Sequence, residues 1–221
     1  MSYMSTLCIR IKTYLGTLCI TNEISLDSGH NPGATIPIFA LFSFQEELNH
    51  HPSVLWLDSS ARIAYPFFAT AFDAAINADG FTSFWGTTYT VYSVTHPGMY
   101  HFLPTDTARL KRTVAREAGY VLVYRTKSVY RNVMYWWAMC ALDRDCISPA
   151  WNNPVCVWPL IGVMEYLHCH KYDQSALNVL LVNHYGQKLE EYSTKFSLIL
   201  SVRHGGKEGI LRQCPLEWSD D

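Results

Sequence analysis

Two acidic side chains far apart in the chain, Asp58 and Asp173, stand where an apolar segment meets a loop. Residues 53–57 form a short apolar run after Pro52, with the length and setting of a buried strand. A polar side chain at the carboxyl end of such a strand faces the crevice where open α/β sheets bind ligands. Asp58 and Ser60 therefore place oxygen atoms where a ligand could bind. The alternative is that Asp58 only ends the strand and caps the next turn.

The second acid, Asp173, precedes an apolar run that predicts a helix to about His184. At the start of a helix Asp173 can accept hydrogen bonds from backbone N–H groups, and Gln174 beside it can reach a ligand hydroxyl. Asn178 follows one turn later, on the same side of the helix as Gln174. The same pattern also describes an ordinary capped core helix, and both interpretations stay open.

A glycine pair near the C-terminus lies between His204 and Lys207. Glycine lets backbone N–H groups approach a diphosphate closely, and Lys207 with Arg203 would add positive charge. The alternative is a solvated turn at the end of the domain.

Composition limits the class of protein. The chain has 221 residues, 49% hydrophobic and 14% aromatic, which suits one domain with a full core. The net charge is -2 at pH 7, so no basic surface for nucleic acid is expected. The sequence motifs of serine hydrolases, P-loop kinases, dinucleotide-binding dehydrogenases and zinc proteases do not occur. No apolar run is long enough to predict a membrane-spanning helix.

Four of the seven cysteines fall close together, and three interpretations of them compete. These four are Cys140, Cys146, Cys156 and Cys169. Zinc sites favour closer pairs of cysteines than these. Disulfides formed in an oxidising secretory lumen fit the spacings better, and buried reduced thiols are the third alternative. His168 and His170 flank Cys169 in an order that no standard metal site requires, so we interpret both as structural or surface residues.

Helical and extended patterns alternate through most of the chain, which predicts an α/β fold. We expect a mixed, mostly parallel central sheet with flanking helices, in a single domain over residues 36–221. Residues 1–35 show no sustained period, so we expect a poorly defined segment without a clear opening strand, which leaves the fold incomplete at the N-terminus. Helices are predicted at 38–48, 66–78, 105–118, 129–142 (with Ser128 as N-cap) and 173–184. Strands are predicted at 53–57, 81–85, 88–92, 120–124 and 196–202.

Trp136 and Trp137 are adjacent on a predicted helix. Either ring could stack on a sugar, because aromatic faces suit the C–H face of a pyranose. Adjacent helical residues point in different directions, so we expect at least one of the two to be core.

Several stretches together resemble the nucleotide-sugar glycosyltransferases of the GT-A fold. Residues 55–60 resemble the Asp-x-Asp element of these enzymes, with a serine in place of the second acid. Residues 173–178 resemble their Asp-Gln-x-x-x-Asn element. Residues 135–149 also resemble a largely uncharacterised family abundant in nematodes, and the match covers about residues 36–185. Some families of these enzymes carry a His-x-x-Gly-x-x-Lys run after the Asp-Gln element. Residues 202–207 resemble it in residue types but differ from it in spacing.

The resemblance implies a GT-A-like fold that transfers a sugar from a nucleotide-diphosphate donor to a hydroxyl of a glycan or protein. Asp173 and Gln174 would then be the catalytic residues on the sugar and acceptor side. Asp58 and His204 would hold Mn2+ or Mg2+, a weakened site because of the serine. The residues implied on the donor side are Asp58, Ser60, Asn178, His204 and Lys207.

The resemblance also implies a secretory location, in the Golgi lumen. The alternative function is a catalytically inactive relative that binds a glycan or a partner protein. This alternative draws on Ser60, which replaces an acid, and on residues 1–35, where no clear opening strand is predicted.

Overall fold

The computed structural model describes residues 9–13, 16–21, 44–57, 61–63, 69–83, 86–158, 165–186, 188, 192 and 199–201. The strands are β1 (Ile9–Thr13), β2 (Gly16–Thr21), β3 (Ser53–Leu57), β4 (Ala61–Ile63), β5 (Phe81–Ser83), β6 (Gly86–Thr90), β7 (Val114–Arg116), β8 (Tyr120–Tyr124) and β9 (Ile199–Ser201). The α-helices are α1 (44–50), α2 (Ala69–Asn77), α3 (Thr107–Arg112), α4 (Lys127–Val129), α5 (Tyr135–Leu142), α6 (Arg144–Ile147) and α7 (Tyr172–Tyr185). A π-helical segment, Tyr130–Met134, joins α4 to α5 without a break.

The main sheet is mixed, and the prediction of a mostly parallel, GT-A-like central sheet is wrong. Its strand order is β1-β2-β3-β8-β5, and within it only β2 and β3 pair in parallel. Strands β3, β8 and β5 pair antiparallel throughout. The two smaller sheets, β4 with β9 and β6 with β7, are antiparallel as well.

The physical reason lies in the connection that leads into β8. The predicted helix 105–118 ends at Arg112, and β7 follows at once to pair with β6. The chain then enters β8 in the opposite direction to β3 and β5 and lies between them. Alternation of helices and strands in a sequence does not specify the direction in which a strand enters its sheet.

Two strands form in the N-terminal segment where no clear opening strand was expected. β1 and β2 make an antiparallel pair, and β2 extends the sheet by pairing with β3. β1 and β2 give residues 9–13 and 16–21 regular structure. The expectation that residues 1–35 form a poorly defined segment stays a prediction, because the rest of that segment lies outside the described residues. Cross-strand pairing supplies order here that the sequence pattern does not reveal.

Helix boundaries follow the predictions closely at some ends and depart from them at others. α7 ends at Tyr185 with Gly186 after it, where φ is 67°, as expected for a glycine stop. Thr126, not Ser128, caps α4, because the Thr126 side chain accepts the Val129 N–H. The other predicted cap, on α7, is taken up with the site below.

The core lies between the main sheet and α7, which is buried along most of its length. Apolar side chains from α1, β3, β8, α5 and α7 contribute to one cluster. The largest fully buried side chains are Tyr192, Phe44, Phe81, Leu48, Leu55, Met99, Leu110, Leu122, Met134, Ile147 and Leu177. Among the described residues, no helix combines the length and apolar character that a membrane crossing requires.

Candidate functional site

The first turn of α7 is attached to α5 through a buried tryptophan. Trp137 is 2% exposed, and its indole N–H donates to the Asp173 carbonyl oxygen at 3.0 Å. Trp136 beside it is 49% exposed, so the prediction that at least one of the two is core is confirmed. The stretches 135–149 and 173–178, which we singled out separately in the sequence, therefore meet in the folded chain.

A row of aromatic contacts leads from Trp137 to the end of β3. The Phe44 ring of α1 makes edge contacts with the rings of Trp137 and Trp56, at centroid distances of 6.2 Å and 5.9 Å. Trp56 is the penultimate residue of β3, and Asp58 follows that strand. One cluster of buried rings thus joins the strand before Asp58 to the helix that carries Asp173. Asp58 itself lies outside the described residues.

Gln174 contacts a pair of aromatic side chains. Its amide nitrogen donates to the Tyr89 hydroxyl at 3.3 Å. The Tyr89 and Trp158 rings lie 5.5 Å apart, centroid to centroid, with 45° between their planes. Tyr89 is partly buried against the core, whereas Trp158 is 54% exposed. We call Tyr89, Trp158 and Gln174 the aromatic platform, because they combine ring surface with an amide and a hydroxyl.

Asn178 has its side chain committed to the backbone of β7. Its Oδ1 accepts the Arg116 N–H at 2.7 Å, and its Nδ2 donates to the Arg116 carbonyl at 2.8 Å and to the Gln174 carbonyl at 2.7 Å. The side chain is 2% exposed. Asn178 therefore holds β7 against α7 and fixes the turn that carries Gln174, and its contact with a donor stays a prediction.

The Arg116 side chain lies over the first residue of β6. A Cβ atom added at Gly86 would stand 2.6 Å from Arg116 Nη1, so the guanidinium occupies the space that a side chain there would need. Burial lowers the pKa of Arg116, and the nearby Tyr192 opposes that shift. A cation is thereby held partly out of water one strand away from Tyr89.

His170 joins three segments around the start of α7. It is fully buried; its Nε2 lies 3.1 Å from the Ile147 carbonyl, and its Nδ1 accepts the His96 N–H at 3.1 Å. Because a carbonyl can only accept, Nε2 carries the hydrogen and the ring is neutral. Burial lowers the pKa of His170 to about 4, opposed by the Ile147 carbonyl and reinforced by His96. The interpretation of His170 as structural is confirmed.

Disulfides join the four clustered cysteines in two pairs, Cys140–Cys146 and Cys156–Cys169. The second pair closes the segment that contains Trp158. The Leu167 N–H at the far end of that segment donates to the Ser93 carbonyl at 2.8 Å. This disulfide therefore ties the base of the Trp158 segment to the residue before His170.

The backbone just before Asp173 is strained. His168 and Tyr172 have φ of 53° and 45°, in the left-handed region that side-chain-bearing residues rarely adopt. Lys171 stands at the N-cap position and makes no side-chain cap, so the prediction that Asp173 caps the helix is wrong. Asp173 lies instead in the first turn of α7, where the helix dipole favours an acid. Strain of this kind persists where surrounding contacts maintain it, and His170 and the disulfide provide them.

The structure describes three of the predicted site residues: Asp173, Gln174 and Asn178 lie together in the first two turns of α7. The remaining ones, Asp58, Ser60, His204 and Lys207, lie outside the described residues. In the part of the chain that the structure describes, no group of three or more His, Cys, Asp or Glu side chains could hold a metal ion.

Sequence reasoning missed Tyr89, Trp158 and the positioning role of His170. Tyr89 occurs in a predicted strand, so its aromatic character was ascribed to strand propensity alone. Trp158 lies just after Cys156, and only the disulfide to Cys169 shows that it returns to the start of α7. No local sequence signal identifies either contact, because both join segments that are distant in the chain.

The chain has no match among family models, among curated proteins or among solved structures. The resemblance to GT-A glycosyltransferases therefore stays a prediction.

Proposed function

We propose that this chain is a nucleotide-sugar-dependent glycosyltransferase that binds a saccharide on the aromatic platform. The observation that carries the proposal is the Gln174 amide bonded to Tyr89 beside the half-exposed Trp158 ring. Saccharides offer an apolar C–H face and a rim of hydroxyl groups. A ring face next to amide and hydroxyl groups matches both of these features.

Gln174 and Asp173 occupy the first turn of α7 and are both partly exposed. We assign to Gln174 a hydrogen bond with a sugar hydroxyl and to Asp173 the acceptor side of the reaction. Asn178 and Trp137 hold that turn in place through the contacts described above. Their burial gives the turn the rigid support that a binding site requires.

The donor side is assigned to Asp58, Ser60, His204 and Lys207, on the basis of the sequence. Mn2+ or Mg2+ held by Asp58 and His204 would neutralise charge on the departing nucleotide diphosphate. Support for a shared site comes from the buried rings that link the strand before Asp58 to the first turn of α7.

A second candidate function is glycan binding without transfer. The specific observation in its favour is Ser60, because a neutral hydroxyl holds a divalent cation less tightly than the second acid of an Asp-x-Asp element. Under this alternative the aromatic platform still binds a saccharide, but the donor side does not bind a nucleotide sugar.

Calorimetry with UDP-sugars and GDP-sugars, with and without Mn2+, separates the two candidates. A transferase binds a donor only with the ion present and loses that binding in Asp58→Ala. Glycan binding that persists without any donor binding at millimolar concentration favours the second candidate.

The aromatic platform is tested by oligosaccharide binding to Trp158→Ala. We expect a loss of affinity of about five-fold, because a stacked ring contributes roughly 1 kcal/mol. Trp151→Ala is the matched control, since Trp151 lies in the same region and is 97% exposed. Equal effects of the two substitutions, or none, would remove the platform from the site and with it both candidates.

We also propose that the protein works in an oxidising secretory compartment. The two disulfides support this location, because cytosolic thiols are kept reduced. The Golgi lumen is the compartment that the resemblance implies.

A further inference from the structure

The outer face of the α4–α5 helix carries an apolar patch. Four large side chains on α5 are well exposed: Tyr135 (47%), Trp136 (49%), Met139 (43%) and Leu142 (58%). Their spacing of one, three and three residues keeps them on one side of the helix, opposite the buried Trp137 and Cys140. Tyr135 and Trp136 contact each other edge to face at 5.3 Å. We call these four residues the α5 patch.

The charges along the same helix are of one sign. Lys127 and Arg131 are exposed about two turns and one turn before Tyr135, respectively, and residues 127–142 contain no acid. The first acid after the patch is Asp143, whose carboxylate is engaged in capping α6 through the N–H groups of the next turn. The exposed side therefore begins with cations and continues with aromatic and aliphatic groups.

The size and chemistry of the patch indicate its occupant. Its exposed area is on the order of 400 Å2, which lies in the range of the largest apolar patch on a typical monomer, a patch that often has a function. A stable dimer needs about 800 Å2 on each partner, so this patch alone is too small to hold two copies together. An exposed helix face that carries Trp and Tyr, with Lys and Arg at its N-terminal end, matches the interface of an anionic bilayer.

We propose that the α4–α5 helix is a membrane-surface contact that lies on anionic lipid headgroups, with the α5 patch inserted at the interface and Lys127 and Arg131 against lipid phosphates. The helix lies on the bilayer and does not cross it. This contact is independent of the proposed sugar site, because Trp137, which bonds Asp173 of α7, lies on the opposite, buried side of the α4–α5 helix.

The test is co-sedimentation of the full chain with phosphatidylcholine vesicles, either pure or containing about 30% phosphatidylserine. We expect binding to the anionic vesicles and little to the neutral ones. Trp136→Gln should weaken that binding by at least about ten-fold, because the exposed ring area is lost from the interface. Arg131→Gln should weaken it about five-fold, and added salt should weaken it further.

Two exposed positions elsewhere supply matched controls. Ile76→Gln removes a side chain that is 48% exposed on α2, and Arg112→Gln removes an exposed cation at the end of α3. Both should bind anionic vesicles as the unaltered chain does, and all four variants should unfold at similar denaturant concentrations, since surface changes cost little.

Absence of binding to anionic vesicles overturns the proposal, as does binding that Trp136→Gln leaves unchanged. Light scattering of the free protein tests the rival occupant. Self-association that is lost in Trp136→Gln, without vesicle binding, would make the patch an interface between copies and would also overturn the proposal.

Discussion

Replacing His170 should remove a large part of the dependence of stability on pH. Burial lowers the pKa of His170 to about 4 in the folded chain, against an ordinary value of 6.5. The unfolded chain therefore binds more protons between these values, and the stabilisation present above about pH 6.5 is lost as pH falls toward 4. Between about pH 7.5 and about pH 5, His170 should cost the folded chain about 2 kcal/mol. The stability of His170→Gln should not fall in this way between the two pH values. The variant should be less stable than the unaltered chain at neutral pH, because the contacts of the buried imidazole ring are lost.

Urea unfolding followed by circular dichroism at both pH values measures the effect. The quantity of interest is the difference in the free energy of unfolding between the two pH values, not its value at either one. His101→Gln removes an exposed imidazole and serves as the comparison for the loss of a histidine as such. If His170→Gln keeps the pH dependence of the unaltered chain, or if NMR finds His170 protonated at pH 6, the neutral buried ring is refuted.

Three further expectations concern the framework of the site. Asn178→Leu should cost about 2–4 kcal/mol in urea unfolding, because two buried backbone groups of Arg116 lose their partners, whereas the exposed Asn183→Leu on the same helix should cost about 1 kcal/mol. Gly80→Ala should destabilise more than Gly186→Ala; both have positive φ, but a Cβ at Gly80 would meet Thr126 Cγ2 at 2.7 Å, and nothing lies within 4 Å at Gly186. Thiol titration without reductant should find at most three thiols among the seven cysteines, and four or more would contradict the two disulfides.

Local patterns predicted the existence of most elements. The strands β3 and β8 coincide with the predicted runs 53–57 and 120–124, and α7 ends before Gly186 as expected. A bounded apolar run and a glycine stop depend on neighbouring residues only, so the sequence contains what is needed to find them. The cap of α4 could not be predicted in this way, because Thr126 and Ser128 are both suitable residue types and differ in their tertiary contacts. The Thr126 hydroxyl also donates to the Asp79 carbonyl.

Sheet direction could not be predicted in the same way. β7 consists of Val114–Arg116, which the pattern assigned to a helix, and it exists because Thr90 and Gly86 of β6 pair with it. The Asn178 side chain of α7 then bonds the N–H and the carbonyl of Arg116, so these two backbone groups of β7 find their partners on a helix. These partners are distant in sequence, and strand propensity depends on such partners more than on the residue itself.

The candidate site separates what motif spacing can and cannot specify. Gln174 and Asn178 are one turn apart on α7, and that spacing predicted both amides on one side of the helix; in the structure the Asn178 amide donates to the Gln174 backbone carbonyl. Spacing did not reveal that Asn178 lies under β7, so that only Gln174 reaches an aromatic ring near the surface. Burial distinguishes the two amides. The buried Asn178 amide is bonded to backbone groups, whereas the partly exposed Gln174 amide can exchange its weak 3.3 Å contact with Tyr89 for a contact with a ligand. A ligand that binds Gln174 gains from the rigidity that Asn178 provides, because a fixed turn loses little entropy on binding.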